Sequence, residues 1–201
     1  VKHLLKNKKI KTHGHHLSHA AAGFQTSSFV EATIIIIDAI GEFDTISIWD
    51  ARYNNNGKAV YKKLWNQTYP DSIGLFYSAM TKRIGLRPLD EEYILMGMSA
   101  YGTPKHYSDL HVSLLQSSQE ITFKENLHIG VSDEFLKDAD TMDIAHSSQM
   151  LLEHLLENVL QKAKILGTTN NLVYGGGVAL NCLANRLLGN YFDKIHIFPN
   201  P

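Results

Sequence analysis

The 201-residue chain has one cysteine, Cys182, which excludes an intramolecular disulfide framework and a thiolate metal cluster. Such sparing use of cysteine fits a reducing, cytoplasmic setting. No apolar run approaches the ~20 residues that a membrane span needs; the longest are Ile34–Ile37 and Leu172–Tyr174 with their neighbours. Neither sign of charge dominates, since 19 Lys and Arg against 20 Asp and Glu leave a net charge of −1. The chain therefore lacks the basic footprint of a nucleic-acid binder, and no charged tail stands out. The opening "VKHLLKNKKIKTHGHH" is basic but has no apolar segment behind it, which argues against a secretory signal. A Walker A loop and a Gly-x-Gly-x-x-Gly fingerprint are both missing, and no Ser-His-Asp or Cys-His nucleophile arrangement is legible.

What remains is an ordinary globular composition, 44% hydrophobic and 19% charged, suited to one domain or one lobe. Histidine is the excess: there are 11, four of them in "HGHHLSH", residues 13–19. The patterning predicts an α/β fold. Residues 15–23 read as a short alanine-rich helix closing at Gly23. "ATIIIID" reads as a buried strand ending in Asp38. "TISIWDARY", the turn "NNNG" and "VYKKLW" read as a hairpin continuing that sheet. "PDSIGLFYSAMTKRIG" and "DEEYILMGMSAYG" read as two helices, the first capped by its Pro-Asp-Ser start. The stretch 104–140 is mixed, with a helix or two and a short strand near Glu120–Phe123. Ile144, Met150, Leu151, Leu155, Val159 and Leu160 recur at helical spacing in a long amphipathic helix over 142–166. A strand "NLVY", the glycines 175–177, a helix from about Val178 and a strand "KIHIF" complete the chain.

Three constellations bear chemistry. His15 and His19, four apart, share one helix face and suit a divalent cation, although a solvated polar face has the same pattern. Two ligands are not a site, and a carboxylate is needed from elsewhere. Asp38 qualifies, because a carboxylate at the end of a buried strand is a common location for a functional acid; a turn-forming aspartate reads the same way. Gly41 and Glu42 follow it. "VYGGGVALN" offers backbone N–H groups of Gly175, Gly176 and Gly177 at a strand-to-helix turn, with Asn181 in reach of a ligand. A tight turn without a ligand is the alternative. Cys182 is expected to be packed rather than reactive.

In order and spacing, "HHLSHAAAGF", "IIIIDAIGE", "YPDSIGLFYSAMTKRIGLRPLDEEYILMGMSAYG" and "YGGGVALNCLANRLL" resemble the carbamoyltransferases of the NodU and CmcH type, from about residue 12 onward. The resemblance implies a partial actin-like ATPase (ASKHA, ribonuclease H-like) fold, with a mixed sheet and flanking helices. It also implies a reaction in which a YrdC-like second domain makes carbamoyl-adenylate from carbamoyl phosphate and ATP. The actin-like domain then passes the carbamoyl group to a hydroxyl of a sugar or antibiotic. By that resemblance His15, His19 and Asp38 hold a divalent metal, typically iron, and Gly175–Gly177 with Asn181 contact the nucleotide. A metal there acts as a Lewis acid, and a nearby neutral His or Asp serves as the base for the acceptor hydroxyl.

This sequence departs from the family pattern in having Ala39 where a glycine usually follows the aspartate. Residues 1–201 are expected to form an incomplete N-terminal catalytic domain, without the family's first strands, its last metal aspartate or the YrdC-like domain. Such a lobe is expected to be inactive alone, and a homodimer is compatible with it. The leftover histidines His13 and His16 are expected to line the cleft or face solvent. Competing readings are a tRNA threonylcarbamoyl-transfer protein, for which a net charge of −1 gives no support, and a non-catalytic actin-like module that binds nucleotide or a partner. A sugar kinase has no role for the histidine pair.

Overall fold

The computed structural model describes residues 11–199. The first ten residues of the basic opening stretch and the last two residues lie outside that range. The core is a five-stranded mixed sheet in the order β3-β2-β1-β6-β7, built from β1 (Glu31–Gly41), β2 (Asp44–Tyr53), β3 (Ala59–Thr68), β6 (Asn171–Gly175) and β7 (Lys194–Ile197). The first three form an antiparallel meander, and β6 and β7 run parallel to β1. A small hairpin, β4 (Leu115–Ser117) and β5 (Thr122–Phe123), stands apart and contains the short strand expected near 120–123.

The isoleucine run of β1 is continuous rather than alternating because both sheet faces are covered. Ile34 and Ile36 pack with Ala20 and Phe24 of α1 (His15–Thr26), while Ile35 and Ile37 pack into the larger core. That larger core is supplied mainly by α2 (Ile73–Arg83) and α5 (Thr141–Leu166). The remaining helices are α3 (Glu92–Met98), α4 (Tyr107–Leu114) and α6 (Cys182–Asn185). Ser72 starts α2 by accepting from Leu75 N–H at 3.1 Å, and Asp140 starts α5 by accepting from Met142 N–H at 2.8 Å. Both caps satisfy donors that the first helical turn leaves free.

Several expectations need correction. Gly23 does not end α1, which runs on to Thr26; a Cβ at Gly23 would lie 2.6 Å from Val173, so this glycine permits close helix–sheet packing. Strand β1 continues past Asp38 to Gly41. The glycine run leads not into a regular helix but into one 3₁₀ turn, Gly177–Leu180, followed by the single turn of α6. Asn181 causes the break by leaving helical geometry to cap Ala184 N–H at 3.0 Å. Met150 is 43% exposed and so lies off the apolar stripe of α5. Cys182 is exposed on α6, its Sγ 3.8 Å from Met96 Sδ. No helix among the described residues is long and apolar enough to cross a membrane.

Candidate metal centre

Asp38 sits where β1 loses both neighbours. Its pairing with β6 ends at Ile36, and its register with β2 is interrupted between Ile37 and Gly41. Ser72 fixes this backbone by donating its hydroxyl to the carbonyls of Asp38 and Ala39, at 3.2 and 2.8 Å. The carboxylate is thus aimed into the space between the end of the sheet and the start of α1, and Asp38 is only 8% exposed. Its Oδ1 accepts the Gly177 N–H at 2.6 Å. Its Oδ2 is buried and has no hydrogen-bond partner among the described residues.

Three imidazoles from the first turns of α1 converge on that oxygen. His15 Nε2 lies 3.3 Å from Oδ2, and the Nε2 atoms of His16 and His19 each lie 3.5 Å from it. His15 and His19 place their Nε2 atoms 3.0 Å apart, as two residues one helical turn apart allow. One ligand atom each from His15, His19 and Asp38 fits within a span of 4.8 Å. Ligands held ~2.0–2.1 Å from one divalent ion stand roughly 3–3.5 Å from each other, and imidazole with carboxylate is a donor set for zinc, iron and other first-row ions. The chemistry and the spacing fit a metal, since a buried carboxylate oxygen without a hydrogen-bond partner is costly unless a cation or donor compensates it. Burial, assisted by the nearby Asp38 charge, pushes the Tyr174 phenol above its ordinary range.

His16 takes the first of its two expected places. It is 2% exposed and so does not face solvent, but it lines a cavity at the start of α1. Burial outweighs the attraction of Asp38 and Asp44 and pulls its pKa down to about 4, so the ring is neutral at physiological pH. Its Nδ1 lies 2.7 Å from Ser47 Oγ, to which Trp49 Nε1–H also donates at 2.7 Å. His13 is exposed. From sequence, His16 is expected only to line the cleft or face solvent, and Ser47 and Trp49 are not among the candidate residues. Their signal was available in the alternation of "TISIW", which puts Ser47 and Trp49 on the face of β2 that meets α1.

The glycine segment lies against the same carboxylate. At Gly176, φ is 88° and an added Cβ would stand 2.4 Å from the Ile37 carbonyl oxygen. Only glycine lets this turn cross the end of β1. The expectation that the run offers free N–H groups fails at Gly177, whose N–H is committed to Asp38. Asn181 is 7% exposed and exchanges two hydrogen bonds with Gln149, at 2.9 and 3.0 Å. Gln149 in turn accepts from the Tyr77 hydroxyl at 2.8 Å. Beside this network lies a cavity of about 290 Å³, lined by Ala39, Tyr77, Glu92, Tyr93, Gly177 and Asn181 among others. Of the expected nucleotide-contacting residues, Gly177 and Asn181 line this space and Gly175 and Gly176 do not, and Ala39 rather than Asp38 borders it from β1. A second cavity of about 340 Å³, lined by His15, His16, Glu42 and Lys63 among others, opens at the start of α1.

The family described as Carbamoyltransferase N-terminus matches residues 2–201, and the chain belongs to that family. It is 34% identical over 208 residues to an uncharacterized protein of Synechocystis sp., covering 92% of this chain and 33% of that protein. It is 28% identical over 200 residues to nodulation protein NolNO of Sinorhizobium fredii, covering 92% and 28%. With nodulation protein NolO of Bradyrhizobium diazoefficiens it shares 25% over 198 residues, covering 92% and 35%. The chain spans about a third of the length of the curated relatives it matches.

Proposed function

We propose that this chain is the catalytic lobe of an O-carbamoyltransferase. In this reading it moves a carbamoyl group from carbamoyl-adenylate, made from carbamoyl phosphate and ATP, to a hydroxyl of a sugar or antibiotic-like acceptor. The convergence of His15 and His19 on the partnerless oxygen of Asp38 carries the reading, with family membership beside it. His15, His19 and Asp38 would hold a divalent metal, iron being the expected one. When bound, such an ion supplies Lewis-acid polarisation of phosphoryl and carbamoyl oxygens.

The chain's own residues prepare that site. Ser72 and the Gly177 N–H set the backbone and one oxygen of Asp38, leaving the other oxygen free to ligate. The first turns of α1 hold two imidazoles at ligand spacing. The cavity beside Gly177 and Asn181 suits the nucleoside end of the adenylate: it is largely apolar, with a few convergent polar groups, and Gly177 in its lining donates to Asp38. The strand order supports an actin-like ATPase core. The length of the relatives leaves room for a YrdC-like domain in the full protein.

The test uses the full-length protein, measuring metal stoichiometry together with transfer of labelled carbamoyl from carbamoyl phosphate and ATP to hydroxylated acceptors. Loss of both metal and transfer in His15→Ala supports the reading. A His15→Ala protein with unchanged metal content and unchanged transfer overturns it.

A further inference from the structure

His16 lies between two metal-ligand candidates in sequence but is held differently in space. Ser47 is fully buried, and its described side-chain neighbours are Trp49 Nε1 and His16 Nδ1, each at 2.7 Å. An indole N–H only donates, so it occupies an acceptor position of the Ser47 oxygen. The Ser47 proton then has one acceptor in reach, His16 Nδ1. A ring that accepts at Nδ1 carries its own proton on Nε2. That Nε2 is buried without a hydrogen-bond partner, and it faces the equally partnerless Asp38 Oδ2 at 3.5 Å. The opposite tautomer would leave the Ser47 hydroxyl without an acceptor and set an imidazole lone pair against a carboxylate lone pair.

We infer that Trp49, Ser47 and His16 form a relay that turns the His16 Nε2–H toward Asp38, making His16 a positioning residue for the metal-binding carboxylate rather than a third histidine ligand. The inference rests on the metal reading above. Asp38 then meets an N–H on each side, a hydrogen bond from Gly177 on Oδ1 and the longer 3.5 Å approach of His16 on Oδ2. Partners of this kind orient a ligand and raise the affinity of its site.

The experiment titrates the full-length, metal-stripped protein with Co²⁺, by chelator competition and by the visible spectrum of the bound ion. His16→Leu is expected to weaken binding ~10- to 100-fold. His16→Gln keeps an amide N–H where the ring Nε2–H stood, and is expected to restore affinity to within about threefold of the parent, with an unchanged Co²⁺ spectrum. Ser47→Ala frees the tautomer and is expected to fall between the two while keeping the fold. A His16→Gln protein as weak as His16→Leu with an altered Co²⁺ spectrum overturns the relay and makes His16 a ligand. Parent-like affinity in both His16→Leu and Ser47→Ala also overturns it. His15→Ala in the same titration separates the two readings: if it too binds Co²⁺ like the parent, the metal centre itself is wrong.

Discussion

Two regions of this molecule are rich in histidine, and they use it in opposite ways. Along α4 and α5 each histidine either meets a partner of its own or packs on its neighbour. His106 Nδ1 lies 3.2 Å from Asp109, His146 Nδ1 lies 2.8 Å from the Ser99 carbonyl, and His154 Nδ1 lies 2.7 Å from the Tyr107 hydroxyl. His111 stacks on His154 with ring centroids 5.8 Å apart. At the start of α1, by contrast, three Nε2 atoms gather around one oxygen that has no hydrogen-bond partner. Abundance of imidazole is therefore uninformative by itself. A candidate metal centre needs convergence on a charged oxygen that lacks a hydrogen-bond partner, and among the described residues only the α1 region combines the two.

The largest effect should come from removing that charge. Asp38→Asn should weaken metal binding more than ~100-fold, beyond what loss of an outer partner costs, and abolish carbamoyl transfer. His111→Ala, in the other region, should stay within a few-fold of the parent. Equal losses in the two variants, read by chelator competition on the full-length protein, would break the contrast.

The next effect is structural. Gly176→Ala should cost about 2–4 kcal/mol, since it adds an unfavourable φ to a clash with the Ile37 carbonyl. A thermal melt of this lobe should fall by roughly 5–15 °C. Gly177→Ala, whose added Cβ meets only Asp38 Oδ1 at 3.5 Å, should change the melt far less.

Smaller again is the stability of the metal-free protein. Asp38→Asn sets an amide NH₂ against an N–H donor, of His16 or of Gly177, and should lower the melting temperature by about 2–5 °C in chelator. A higher melting temperature would show that the carboxylate is uncompensated without metal.

The smallest effect is pH-dependent. Burial, assisted by His111, holds the pKa of His154 below its ordinary value of 6.5. The unfolded chain therefore takes up a proton at His154 before the folded one does. Its contribution to stability is complete above pH 6.5 and is lost as pH falls below that value. Denaturant unfolding of His154→Gln should show a shallower decline with acidification than the parent, and an unchanged slope would refute the assignment.

Much of this fold could be read directly from the chain. The isoleucine run, the Asn-rich turn and the 3.6-residue stripe of α5 reflect local periodicity, and local geometry decides where such elements form. Boundaries were less legible where long-range contacts overrode local signals. Gly23 resembles a helix stop until Val173 is seen packed against it, and Asn181 resembles a mid-helix residue until its cap and its pairing with Gln149 appear. His15 and His19 were legible as a pair because a helix fixes the geometry of residues four apart.

The sequence by itself determined the α/β pattern, the histidine spacing and the family, since each depends on the order of residues along the chain. Only the tertiary structure brought Asp38 to that histidine pair, turned His16 inward to Ser47, and committed the Gly177 N–H to the carboxylate. Those contacts join residues 19 to 139 positions apart (Asp38 to His19, Asp38 to Gly177). The packing of α1 and the glycine turn against the end of β1 sets them, and no local preference encodes that packing.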